Sequence, residues 1–228
     1  MIDFIRLIIG TAILSYASYT DIKYREASNK LWIVMAVIGL LLFFYNFGEF
    51  KKIGISISIS FIIAYLLYFF GMGGADVKAM WAISILSPLP PKTSLFPIFR
   101  HFNFIFPLTI LINSLLLFIP LPILFFFYNL YKKDIEFPYC FFGYKIEAKE
   151  AKNKFVWSME KNNRKSIFPQ KDVDFTKLNG KIWVTPKMPF LLFILIGFLI
   201  SYMIGDILFL ILSLIIPQVL PFFSSLLL

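Results

Sequence analysis

Residues 53–87 read IGISISISFIIAYLLYFFGMGGADVKAMWAISILS, an apolar run broken by a glycine-rich phrase that leads into an aspartate. No charged side chain lies between Ile53 and Phe70. As an α-helix that run extends about 27 Å at 1.5 Å per residue, close to the roughly 30 Å hydrocarbon thickness of a bilayer. The same texture recurs on both sides of it. Apolar runs at 4–20, 31–47, 104–131 and 189–216 bring the expected spans to five, and 76–87 makes a sixth. That short run ends at SPLPP, because proline cannot continue a helix and biases its predecessor to extended geometry. It crosses a membrane only if the glycine segment also lies at membrane depth. Pro107, Pro120 and Pro122 predict a kink in the fifth span. The fold class expected is an α-helical polytopic membrane protein of about six transmembrane helices.

Composition agrees. The 228 residues are 59% hydrophobic and 19% aromatic with 15% charged, and the mean hydropathy is +0.80, too apolar for a soluble domain of this size. The first run reads as a retained helix and not a cleaved leader, because a polar loop, DIKYREASNK at 21–30, follows it directly. The end of the chain, PQVLPFFSSLLL at 217–228, is apolar but proline-broken, and an interfacial location is expected for it.

The segment 132–187 has a different character. The pieces FPYCFFGYKIEA, KFVWSM and GKIWVTP alternate or are aromatic-rich, with charged turns between them, which predicts a small antiparallel sheet. The division expected is 1–131 for helices one to five with the catalytic loops, 132–187 for a small soluble cytoplasmic domain, and 188–228 for helix six and the tail. About 55 residues rarely hold together unaided, so this domain is expected to lean on the membrane surface or the helices.

With six spans, seventeen Lys and Arg fall on the side of the 21–30 loop, the Asp76 turn and the soluble segment, and five on the other side. Cytoplasmic loops are the Lys/Arg-rich ones, so Asp21, Asp76 and the soluble segment are expected at the cytoplasmic face. The net charge of +9 is then explained by topology and anionic lipid headgroups, and no nucleic-acid partner is expected. A single cysteine, Cys140, and a single histidine, His101, leave no disulfide within the chain and no Cys/His zinc site. Neither metal nor cofactor is expected. His101 sits in a proline-rich outer loop and reads as a surface residue.

Ionisable groups in a membrane span are expensive, and each calls for a reason. Of thirteen acidic residues, three stand in or at the ends of spans: Asp21, Asp76 and Asp206. Asp21 and Asp76 lie at helix ends on one face, where two carboxylates can share a water. One ionised carboxylate takes a proton from that water while its protonated partner polarises a carbonyl, which is aspartyl proteolysis without metal. Gly71, Gly73 and Gly74 before Asp76 permit close backbone approach or a bend. Lys78 either tunes an aspartate or anchors the helix at the interface. Asp206 reads as a hydrogen-bonding group in the last helix, and the ISISIS serines read as helix-packing residues. The competing function is a transporter or channel whose membrane aspartates bind a cation or relay protons.

GMGGADVKA resembles the glycine-x-glycine-aspartate phrase of the GxGD membrane aspartyl proteases. Asp21 followed by Asn29 resembles the first-aspartate loop of type IV prepilin peptidases, in which an asparagine opens the next helix. KMPFLLFILIGFLISYMIG at 187–205 is similar to the proline-phenylalanine start of their final helix. The resemblance covers nearly the whole chain and is nearest to archaeal preflagellin peptidases, which implies six helices with a modest cytoplasmic domain before the last. It implies a catalytic pair of Asp21 and Asp76, with Gly73, Gly74, Ala75, Asn29 and Lys78 supporting them, and Gly73 and Ala75 letting the second aspartate swing into place. It implies substrates of the preflagellin or prepilin type, cut at a short basic leader ahead of an apolar helix. Ala75 departs from the strict glycine form and matches the looser archaeal pattern. Paired CxxC motifs and a methyltransferase segment are absent, so cleavage without amino-terminal methylation is expected.

Overall fold

The computed structural model describes residues 1–93, 97–99, 103–161, 164–170, 173–178 and 180–215, the side chains of 45–47 and 177 excepted. His101 and the terminal segment 217–228 lie outside the described residues. The helices are α1 (Ile2–Tyr24), α2 (Asn29–Phe43), α3 (Phe50–Phe69), α4 (Gly74–Leu86), α5 (Phe106–Leu116), α6 (Leu121–Lys132), the single turn α7 (Ala148–Ala151), α8 (Phe190–Met203) and α9 (Ile207–Ile215). The strands are β1 (Tyr144–Glu147), β2 (Val156–Lys161), β3 (Arg164–Gln170) and β4 (Lys181–Pro186). The chain separates into two units, one of Met1–Leu117 with the chain from Pro189 onward, the other Phe118–Met188.

The protein is a helical membrane protein carrying a small β-sheet unit among its later helices. By length and composition, Ile2–Tyr24, Phe50–Phe69 and the stretch Phe106–Lys132 suffice to cross a bilayer, and α8 with α9 forms a fourth candidate bent by 64°. This is fewer than the six crossings expected. Helix α2 has 15 residues and α4 has 13, against about 20 for an upright span. The expected sixth helix is in fact two, because Gly205 takes a φ of 112° that ends α8, and the Asp206 carboxylate accepts the Phe209 backbone N–H at 3.0 Å, capping α9. The kink foreseen in the fifth span is a turn at 117–120 between α5 and α6, where Pro120 and Pro122 open the second helix.

In the first unit α4 is the central element. Val77, Ala79, Met80, Ala82, Ile83 and Leu86 are all buried, as befits a helix that carries no charge beyond Lys78. Around it stand Leu14 and Ala17 of α1, Trp32 and Met35 of α2, Ala64 of α3, Ile110 of α5, and Ile194 and Phe198 of α8. The approach of α2 to α4 depends on Gly39, where a β-carbon would lie 2.7 Å from the Ile85 carbonyl. Several buried polar groups find partners across helices, where a core without water leaves no other donor or acceptor. Ser56 of α3 donates to the Pro88 carbonyl at 2.6 Å; of the three serines read as packing residues Ser56 and Ser60 are buried and Ser58 is exposed. Ser87 and the Tyr202 hydroxyl share a 2.7 Å bond. Asn113 of α5 donates to Ser201 at 2.8 Å and to the Gly205 carbonyl at 2.9 Å, and accepts from the Ile207 N–H at 3.2 Å, clasping the broken helix at its bend. Arg6, buried near the start of α1, pairs with Asp3 at 3.3 Å.

The second unit is an antiparallel sheet in the order β1-β4-β2-β3. Alternation along β4 sends Ile182 and Val184 to one face, with Ala148, Ala151 and Val156, and Trp183 to the other, with Cys140 and Met159. Phe126 of α6 packs on the Trp183 face. Asn129 of α6 donates to the carbonyls of Cys140 and Gly143 at 2.8 and 2.7 Å, fixing the helix to the loop that precedes β1.

Candidate active site

Asp21 lies in the last turn of α1, half-buried. The helix stops four residues later because Arg25 adopts the left-handed conformation, φ 58° and ψ 31°, while its N–H donates to the Asp21 carbonyl at 2.9 Å. The Arg25 guanidinium exerts its charge on the Asp21 carboxylate, and the backbone N–H of Leu191 is that carboxylate's hydrogen-bond partner. Leu191 stands in the first turn of α8, which starts at Pro189–Phe190. A carboxylate is well placed there, since unpaired N–H groups and the positive end of the helix dipole converge at a helix N-terminus.

Asp76 is the third residue of α4. Its carboxylate turns back to the N–H of Gly73, the N-cap residue, which is the reaching-back half of a capping box. This return path explains the glycine. A β-carbon on Gly73 would stand 2.7 Å from Asp76 Oδ2, inside van der Waals contact. Gly74 has no such constraint, its nearest neighbour being the Tyr68 ring at 3.9 Å. Ala75 packs partly buried against the core. Gly71, at φ 98°, supplies the left-handed residue that turns the chain out of α3.

The charge of Asp21 is felt at Asp76, so the two carboxylates, 55 positions apart in sequence, are brought within electrostatic reach at the ends of α1 and α4. Two carboxylates within such reach are a candidate pair for acid and base chemistry on one water. Asn29 and Lys78 are also brought together. Ser28 caps α2, Asn29 opens it, and the Lys78 ammonium donates to Asn29 Oδ1 at 2.9 Å, tying α2 to α4 at an exposed position. The cation acting on Asp21 is Arg25, which the sequence reasoning passed over although its spacing of four from Asp21 is the helical one. The Leu191 N–H was also not foreseen, since a backbone donor has no sequence signature. Among the described residues no group of three His, Cys, Asp or Glu could hold a metal ion.

Beside α2 and α4 a groove of about 430 Å³ is lined by Asn29, Trp32, Ile33, Phe61, Lys78 and Trp81, among others. Trp81 stacks on Phe61 with ring centroids 5.2 Å apart and donates to the Phe61 carbonyl at 3.3 Å.

Residues 8–134 match the type IV leader peptidase family, and residues 169–207 match the type II C-terminus of archaeal A24 peptidases. A preflagellin peptidase of Methanococcus voltae is 39% identical over 220 residues, covering 87% of this chain and 94% of that protein. The preflagellin peptidase of Methanococcus maripaludis is 33% identical, covering 89% and 96%. That of Methanocaldococcus jannaschii is 32% identical, covering 89% and 94%. The match over residues 8–134 and the similarity along most of the chain lead to one conclusion: the chain belongs to the type IV leader peptidase family.

Proposed function

We propose that this protein is a membrane aspartyl endopeptidase that removes short leader peptides from preflagellin-like or prepilin-like preproteins at the cytoplasmic membrane face, with Asp21 and Asp76 as its catalytic pair. What supports the assignment of the pair is that the ends of α1 and α4 bring these two carboxylates within electrostatic reach, in a chain similar along most of its length to preflagellin peptidases.

In the reaction, the ionised carboxylate takes a proton from water as the water oxygen bonds to the scissile carbonyl carbon. The protonated partner gives its proton to the carbonyl oxygen. On collapse of the tetrahedral diol one hydroxyl returns its proton to the ionised partner as the carbon–nitrogen bond breaks, and the leaving nitrogen takes the proton held by the first carboxyl, which restores the starting pair. Gly73 leaves room for the second carboxylate, and the Leu191 N–H and Arg25 orient the first. Asn29 and Lys78 hold α2 against α4, and Gly74 and Ala75 form the first turn that carries Asp76.

The same reading takes six crossings, α2 and α4 being short ones, and places 132–187 as a cytoplasmic domain between helices five and six, flanked by 1–131 and 188–228. The excess of Lys and Arg on the face that holds both aspartates supports that orientation. Anionic lipids and the preprotein are its partners. Asp206, the carboxylate a cation carrier would use at depth, is engaged in capping α9.

Cleavage of a preflagellin substrate by purified, folded protein in detergent tests the proposal. Asp21→Asn and Asp76→Asn are each expected to abolish cutting while Asp206→Asn cuts normally. Full activity in either of the first two overturns the mechanism.

A further inference from the structure

The segment 118–188 holds thirteen Lys and Arg against seven Asp and Glu. Three of these cations are neutralised within it among the described residues. Lys145 reaches Asp134 at 3.7 Å and Glu136 at 3.6 Å, Lys154 reaches Glu150 at 3.0 Å, and Lys165 pairs with Glu136. The end of the β2–β3 hairpin is where two unpaired cations are held side by side. Lys161 and Arg164 stand directly opposite each other in the strand register, and neither has a partner carboxylate among the described residues. Like charges placed opposite across two strands weaken the pairing, so the hairpin carries a local cost that an external anion would relieve. The two cations, with Lys165, Ser166 and Gln170, line an open concavity of about 590 Å³.

Strand β3 is also an edge of the sheet. Basic residues on an edge strand by themselves discourage pairing with other chains. The same strand, however, exposes Phe168 by 77% and Ile167 by 38%, which does the opposite in water. Cations beside exposed apolar side chains are what an anionic bilayer surface accommodates, with charges at the phosphates and apolar groups at the headgroup–acyl boundary.

We propose that Lys161, Arg164, Ile167 and Phe168 form a docking surface for the anionic headgroup layer of the bilayer. Charge complementarity selects this occupant, and the chain already resides in a membrane, so lipid phosphates are the polyanion present at the highest local concentration. The inference rests on the placement of 132–187 at the membrane face proposed above and does not depend on the catalytic pair.

The test uses the full chain in nanodiscs, with Phe168→Cys carrying an apolar fluorophore, since the native Cys140 is fully buried. Quenching by bromine-labelled lipid is compared between phosphatidylcholine discs and discs containing phosphatidylglycerol. Strong quenching is expected only with the anionic lipid, reversed by high salt. K161Q together with R164Q is expected to lower the docked-to-undocked ratio roughly 30-fold, and K161Q alone roughly fivefold. Because both changes remove like-charge repulsion, the hairpin should fold at least as well as before, which thermal unfolding followed at the buried Trp183 checks. Equal quenching in both lipids, no response to either variant, or displacement by inorganic phosphate at matched ionic strength overturns the proposal.

Discussion

The Asp76 carboxylate folds back over Gly73 so closely that its Oδ2 lies 2.7 Å from the point where a β-carbon on Gly73 would stand. The N-cap glycine and the candidate catalytic acid are therefore one device. The glycine is required by the carboxylate's position, and that position uses the N-cap N–H that glycine leaves accessible.

Gly73→Ala is thus expected to displace the carboxylate and lower cleavage by about 100-fold, the usual scale for a misplacement near 1 Å. Gly74→Ala, facing open space and the Tyr68 ring at 3.9 Å, should leave activity within a few-fold of the wild type and slightly favour the helix. Single-turnover rates of the two variants, with thermal stability measured alongside, separate these outcomes.

The cap on α9 gives a second pair of variants. Asp206→Asn keeps an oxygen for the Phe209 N–H and should unfold with the wild type, whereas Asp206→Ala loses the cap and should cost about 0.5–2 kcal/mol. Thermal unfolding in detergent distinguishes them. Equal loss in both would mean that charge, and not capping, is what the site needs.

Close backbone approach at Gly39 makes a prediction about packing alone. Gly39→Ala forces α2 off the Ile85–Leu86 backbone of α4 and should cost about 1–3 kcal/mol. The same change at Gly54, where nothing lies within 4 Å, should be neutral or stabilising. Denaturation midpoints of the two proteins provide the comparison.

Glu136 ties the sheet unit to pH. A hydrogen bond from Lys165, then one from the Trp183 indole at 2.9 Å, hold its carboxyl below its ordinary value of 4.5. A group lowered in the folded state contributes stability that is complete above the unfolded value and lost as pH falls through the folded one. Wild type should therefore lose stability below about pH 4.5 more steeply than Glu136→Gln. Trp183 fluorescence during unfolding across that range reads the difference, and parallel curves would remove Glu136 from the linkage.

Composition and period alone make the fold class legible. Apolar runs of bilayer length can only be helices, because a backbone in lipid must satisfy its own hydrogen bonds. The alternating and aromatic-rich pieces of 132–187 have the period of strands, so a helical membrane protein with a small sheet was legible from the one-dimensional pattern. Carboxylates at span ends and the glycine phrase were legible as candidates because their cost in a membrane demands a reason. The length of the crossings was not fully legible. Asn113 clasps the chain at Gly205, and Asp206 caps a second helix beyond the bend, so a run that reads as one span is folded as two. Nor did the sequence distinguish Gly73 from Gly74, or name Arg25 and the Leu191 N–H as the partners of Asp21. Those facts depend on which way a side chain turns and which backbone group faces it, and only packing α1, α4 and α8 together decides that.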